Sequence, residues 1–166
     1  MEKIAIFYGS STGNTEKVAE KIKQAFGGEA ISLNVDDAHS KDLEKFPYLI
    51  FGTSTWEIGD MQDDWQEFIA VVDKTDLSKK KVALFGLGDQ ELYPDSFADG
   101  VGRIYDHIAG KTTIVGRWPL TGYDFEESDA VRDGDFVGLI IDEENQKNLT
   151  SERISQWVAL LKNEFV

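Results

Sequence analysis

The sequence contains no cysteine, which excludes disulfides, thiolate nucleophiles and cysteine-ligated zinc or iron–sulfur clusters. Histidine is almost missing: His39 and His107 are the two present, each in a helix-like stretch with no acid–base constellation around it. With 3 prolines in 166 residues there is no proline-rich linker, and no repeat or low-complexity tract marks an internal boundary. No apolar run approaches the length of a membrane span. No apolar leader opens the chain, so a soluble, cytoplasmic protein is expected. Positive charge is scarce as well. Against 31 Asp and Glu stand 17 Lys and Arg, a formal net charge of −14. That balance disfavours nucleic acid and anionic membranes as partners and favours basic protein surfaces.

What is present describes a globular chain, 41% hydrophobic and 11% aromatic, of a length that suits one domain over residues 1–166. Apolar patterning predicts strands over 3–9, 30–34, 47–53, 81–87, 112–116 and 137–141, and helices over 14–27, 40–45, 62–73, 97–110 and 150–165. Strict alternation implies an α/β fold, a doubly wound parallel sheet with helices on both faces. Tyr48-Leu49-Ile50-Phe51 and Val82-Ala83-Leu84-Phe85 are continuous apolar runs, as strands covered on both faces should be. Val18, Ala19, Ile22, Ala25 and Phe26 mark one face of the first helix, and Gly27-Gly28 its end. Residues 117–136 interrupt what should be the last strand. They carry Trp118, Pro119, Tyr123 and Phe125, too much apolar bulk for a disordered linker, so a structured excursion is expected.

The chain is organised around Ile4-Ala5-Ile6-Phe7-Tyr8-Gly9-Ser10-Ser11-Thr12-Gly13-Asn14-Thr15-Glu16. A buried-type strand runs through a Gly/Ser/Thr loop into an amphipathic helix, a turn that collects free backbone N–H groups at the positive end of a helix dipole. Such a turn suits a phosphate. It is neither a P-loop, since no Lys follows Gly13, nor a dinucleotide fingerprint, since only Gly9 and Gly13 are present. With no Lys or Arg in the loop, a phosphate there has neutral donors alone. The plainer alternative is a helix start capped by Asn14 or Thr12.

Two more loops leave the same edge of such a sheet, where ligands of open parallel sheets bind. They are Thr53-Ser54-Thr55-Trp56-Glu57-Ile58-Gly59-Asp60 and Gly86-Leu87-Gly88-Asp89-Gln90-Glu91-Leu92-Tyr93-Pro94-Asp95-Ser96. Trp56 and Tyr93 sit among polar and acidic neighbours, and together they can sandwich a planar heterocycle, each stack adding about 0.5–1.5 kcal/mol beyond area burial.

Tyr8, Ser10, Gly13, Thr15, Ala19 and Ile22, at their spacings, resemble the phosphate loop of flavodoxins. The resemblance extends over nearly the whole chain and is nearest to the long-chain type of cyanobacteria and algae, in which an insertion like 117–136 occurs. It implies a five-stranded sheet of order 2-1-3-4-5 and bound flavin mononucleotide (FMN). The implied contacts are Ser10, Ser11, Thr12, Gly13, Asn14 and Thr15 at the phosphate. Thr53, Ser54, Thr55, Trp56, Glu57, Ile58 and Gly59 follow from the second loop, and Gly88, Asp89, Tyr93, Ser96 and Ala98 from the third. At Ser96 and Ala98 larger polar residues are common in the family, so this sequence departs there. By the same resemblance the Glu57–Ile58 peptide turns its carbonyl toward flavin N5, a turn that costs more here than with Gly. Asp142-Glu143-Glu144 is expected to approach the ribityl chain.

The implied role is a soluble, monomeric, low-potential one-electron carrier rather than an enzyme. As a ferredoxin substitute it would run between photosystem I and ferredoxin–NADP reductase, in the cytoplasm or, in an alga, the plastid stroma. The competing reading is an FMN-dependent NAD(P)H quinone or nitro reductase. A receiver-type signalling module is disfavoured by the strand ends, which read Tyr8-Gly9-Ser10 and Gly52-Thr53-Ser54 in place of clustered aspartates.

Overall fold

The computed structural model describes residues 2–56 and 60–166, with Trp56 described for its backbone alone. Strands β1 (Ile4–Tyr8), β2 (Ala30–Asn34), β3 (Tyr48–Trp56) and β5 (Lys81–Leu87) form a parallel sheet in the order β2-β1-β3-β5. A two-residue strand β4 (Asp60–Met61) folds back on the end of β3, pairing Trp56 with Asp60. The fifth position is shared. β6 (Thr113–Val115) pairs with Lys81–Ala83 of β5, and β9 (Leu139–Ile141) pairs with Phe85–Leu87 higher on the same strand. The sheet therefore has the expected five positions and order, with the last one interrupted midway as the sequence suggested.

Among the described residues five helices cover the sheet: α1 (Asn14–Phe26), α2 (Ser40–Lys45), α3 (Asp63–Asp73), α4 (Asp99–Ile108) and α5 (Thr150–Glu164). On α1 the buried face is Thr15, Val18, Ala19, Ile22 and Phe26. Ala25, assigned to that face from its spacing, is exposed, because the buried stripe runs through Thr15, Val18, Ala19, Ile22 and Phe26 and leaves it outside. Gly27 ends α1 at φ 73°, as a C-terminal glycine should. α4 starts two residues later than expected, because Ala98 stands at its N-cap in the left-handed region, φ 57°. The central strands carry the core: Phe7 and Phe51 meet edge to face with centroids 5.9 Å apart, and Trp65 from α3 donates Nε1–H to Gly52 O at 2.6 Å. Under α5, Trp157 Nε1–H reaches Gly116 O at 2.8 Å.

The excursion is ordered. A hairpin of β7 (Val131–Arg132) and β8 (Asp135–Phe136) turns through Asp133 and Gly134, both at positive φ as a tight hairpin requires. Phe97, Phe125 and Phe136 pack with centroids 5.2–6.1 Å apart, and Tyr123 closes on Phe136 at 5.0 Å. Trp118 Nε1–H donates to the Tyr123 hydroxyl, which in turn donates to Ile140 O, while the Arg153 guanidinium lies 4.0 Å over the Tyr123 ring. Burial pushes the Tyr123 phenol up to about 12. Pro119 is exposed.

Candidate functional site

Strand order reverses between β1 and β3, so the loops leaving β1, β3 and β5 converge at one end of the sheet. Gly9 begins the first of them, its N–H held by Gly52 O at 3.2 Å. A Cβ there would strike the Gln62 side chain and come within 2.8 Å of Trp65 Cδ1, so only glycine lets the chain pass. Ser10 Oγ then accepts the Gly13 N–H at 2.9 Å, and Ser11 Oγ accepts from Gln62 Nε2 at 2.8 Å. Gly13, at φ 90°, is itself the N-cap of α1. Neither Thr12 nor Asn14 caps the helix, so the plain capping alternative does not hold. The first helical bond is Lys17 N–H to Gly13 O, 3.1 Å. With no side chain at the cap, the amides of Asn14, Thr15 and Glu16 are left for a ligand.

On the second loop, Thr53 is fully buried. Its Oγ1 donates to Ser54 O at 2.8 Å and accepts the Gln62 N–H at 3.1 Å, so it braces the loop from behind. Ser54 and Thr55 face the cleft, and Thr55 Oγ1 also accepts the Gly100 N–H at 2.9 Å. The Trp56 side chain and Glu57, Ile58 and Gly59 lie outside the described residues. On the third loop, Gly88 donates to Ile141 O at 3.1 Å, and a Cβ on it would meet the Phe97 ring at 2.9 Å. Asp89 Oδ1 accepts the Glu91 and Leu92 N–H groups at 3.2 and 2.9 Å, closing a tight turn. Tyr93 N–H reaches Asp89 O at 2.9 Å, and Tyr93 stands 48% exposed at the rim with Leu92, 66% exposed, beside it.

Between the three loops lies a cleft of about 230 Å³. The structure brings Thr12, Asn14 and Thr15 of the first loop, Ser54 and Thr55 of the second, and Gly88, Asp89, Tyr93, Ser96 and Ala98 of the third onto its walls. Ser10, Ser11 and Gly13 shape the turn at its phosphate-type end. Glu143 and Glu144 line the wall, whereas Asp142 is 0% exposed and turned inward, so only part of that acidic triplet faces the cleft. Leu87 and Phe97 add apolar surface that the sequence reading did not assign to the site. Lys17, Lys21 and Lys147 line a neighbouring recess with Gly13 and Asn14, together with Glu16, Glu20, Glu143 and Glu144.

Asp89, Glu143 and Glu144 are the acidic side chains on the cleft wall, and a second recess lined by Asp95, Asp99, Glu126, Glu127 and Asp129 adjoins the third loop. Burial raises the Asp99 carboxyl above the usual range, nearby Asp129 and Glu127 add to the effect, and the Asp129 N–H and Arg103 oppose it. Glu126 is raised by its hydrogen bond with Asp95. The cleft thus offers amide donors for an anion at one end and an aromatic wall at the other. Gly88 keeps side-chain bulk off the backbone between them. These features fit FMN. Among the described residues no group of side chains could hold a metal ion.

The family model described as Flavodoxin matches residues 6–157. The flavodoxin of Synechococcus elongatus is 49% identical over 168 residues, covering 99% of each chain, and that of Nostoc sp. is 48% identical, covering 99% of this chain and 98% of the relative. The crystal structure of Fusobacterium nucleatum flavodoxin bound to flavin mononucleotide superposes with a TM-score of 0.94 at 34% identity, covering all of both chains. With its three loops, its split fifth strand position and these matches over nearly its full length, this chain belongs to the flavodoxin family.

Proposed function

We propose that residues 1–166 form one FMN-binding unit that carries electrons singly and at low potential between redox proteins. The observation that carries this is the uncapped Gly13 turn opening on the same cleft that Tyr93 walls. When bound, FMN supplies a ring system that takes up and releases one electron at a time. Ser10, Ser11, Thr12, Asn14 and Thr15 hold its phosphate through hydroxyls and the free amides of the α1 start. Ser54, Thr55, Gly88 and Asp89 present polar groups and close-approaching backbone along the ring edge, and Tyr93 covers one ring face. Trp56 with Glu57, Ile58 and Gly59 supplies the other side by resemblance. Ser96 and Ala98 close the cleft floor, and Thr53 supports it from behind. Asp89, Glu143 and Glu144 oppose the addition of negative charge, and each ~1.4 kcal/mol of such repulsion lowers a one-electron potential by about 59 mV.

The acidic rim suits basic docking sites. The finer assignment, photosystem I as donor and ferredoxin–NADP reductase as acceptor, rests on the likeness to cyanobacterial relatives. An anaerobic reductive titration of the FMN-loaded protein, followed by absorbance, tests the function. Two resolved one-electron stages are expected, with no consumption of NADPH by the protein alone. A single two-electron bleaching with NADPH turnover would move the assignment to a reductase, and failure to take up FMN would remove it.

A further inference from the structure

Behind the cleft wall, Asp142 sits fully buried at the end of β9, and among the described residues its carboxylate accepts from five N–H groups. Oδ1 accepts the Glu144 and Asn145 amides at 3.1 and 3.0 Å. Oδ2 accepts the Gln90 amide at 3.1 Å, Gln90 Nε2 at 2.7 Å and Asn145 Nδ2 at 2.9 Å. Gln90, also buried, uses its remaining Oε1 to accept the Asp124 N–H of the excursion at 2.6 Å. Asn145 Nδ2 also donates to Asp89 Oδ1 at 2.8 Å, the atom that closes the turn carrying Leu92 and Tyr93. One carboxylate thus joins three segments far apart in sequence and ends on two residues of the cleft wall, Asp89 and, through its O···H–N bond, Tyr93.

A buried carboxylate is tolerated when its lone pairs are filled, and a fully satisfied polar network holds its members in one geometry. A packing function alone would be served as well by an apolar side chain. We propose that Asp142, Gln90 and Asn145 are positioning residues that pre-set the third loop for the isoalloxazine ring, and so govern the ring-side share of cofactor binding independently of the phosphate end. The inference rests on the proposed FMN function. The phosphate turn contributes no side chain to this network and is clasped instead by Gln62. The two ends of the cleft are therefore braced by separate sets of polar contacts.

The test compares FMN, riboflavin and inorganic phosphate, titrated into apoprotein by flavin fluorescence and by competition. For Gln90→Leu, FMN and riboflavin affinities are expected to fall by the same factor, about tenfold or more, with phosphate competition unchanged. Hydrogen exchange of the apoprotein should show the Leu92 and Tyr93 amides losing protection. Asn145→Ala, which removes two bonds and leaves the Asp142–Gln90 pair in place, should give a smaller shift in the same pattern, and it serves if Gln90→Leu does not fold. Flavin affinities within twofold of the unaltered protein in the folded variants overturn the proposal. So does a fall in phosphate affinity equal to that in riboflavin affinity, since it would report general loosening. If the unaltered protein binds neither FMN nor riboflavin, the proposed function fails instead.

Discussion

Gln62 is the residue on which the phosphate turn leans. It is 1% exposed, and its Oε1 caps α3 through the Asp64 and Trp65 N–H groups at 3.0 and 3.3 Å. Its Nε2 meanwhile reaches across to Ser11 Oγ. Gln62→Leu removes a helix cap and leaves Ser11 without its partner, at a cost of about 1–2 kcal/mol. Urea unfolding should register that loss, and FMN affinity should fall more than riboflavin affinity, because the disturbed loop carries the proposed phosphate site. The side chains assigned to the cleft were readable as candidate chemistry, since a Ser/Thr/Gly/Asn turn before a helix suits either an anion or a plain helix start. The residues that hold them were not readable. Gln62 meets Ser11 across 51 positions, Gln90 meets Asp124 across 34, and Asn145 meets Asp89 across 56. A lone amide side chain in a polar loop looks like solvent-facing decoration until the fold closes on it.

Among the elements, the excursion behaves as a part of the core that happens to lie late in the chain. Its Tyr123 hydroxyl is both acceptor for Trp118 and donor to Ile140 O, so Tyr123→Phe strands two polar groups and is expected to cost about 1–3 kcal/mol in urea unfolding. The sign of its pH dependence follows from the phenol being raised to about 12 from an ordinary 10.0. Between those values the unfolded chain loses the proton while the folded one keeps it, so stability falls as pH climbs through that window. Tyr123→Phe should flatten that alkaline decline. The strands and helices were legible because their apolar periods are long and clean, as in Tyr48–Phe51 and Val18–Phe26. The hairpin at Asp133-Gly134 and the shared fifth position were not, because two- and three-residue strands carry no period. The α4 boundary was misplaced for a related reason: nothing in the pattern marks Ala98 as left-handed.

At the scale of the whole molecule, the cleft end of the sheet is acidic. Asp89, Glu143 and Glu144 line the cleft and Glu91 and Asp95 lie on the same third loop, while Lys3, Lys45, Lys80 and Lys81 stand at the opposite strand ends among Glu2, Glu29, Glu44 and Glu164. Lys80 Nζ is fixed there on Glu44 O and Phe46 O at 2.9 and 2.6 Å, and Lys81 Nζ on Glu164 O at 2.9 Å. Electron transfer to a basic redox partner should therefore slow as ionic strength rises, and stopped-flow rates over a salt series should show it; a flat series would remove electrostatic steering. The shared fifth position has a consequence of another kind. Exposed sheet borders invite other chains to add a strand, and such templating needs a run of unpaired amides and carbonyls in register. Here that border is divided into two three-residue pieces, β6 and β9, with a folded hairpin between them. An incoming peptide finds no continuous ladder to extend, which protects this flank against edge-to-edge aggregation at high concentration.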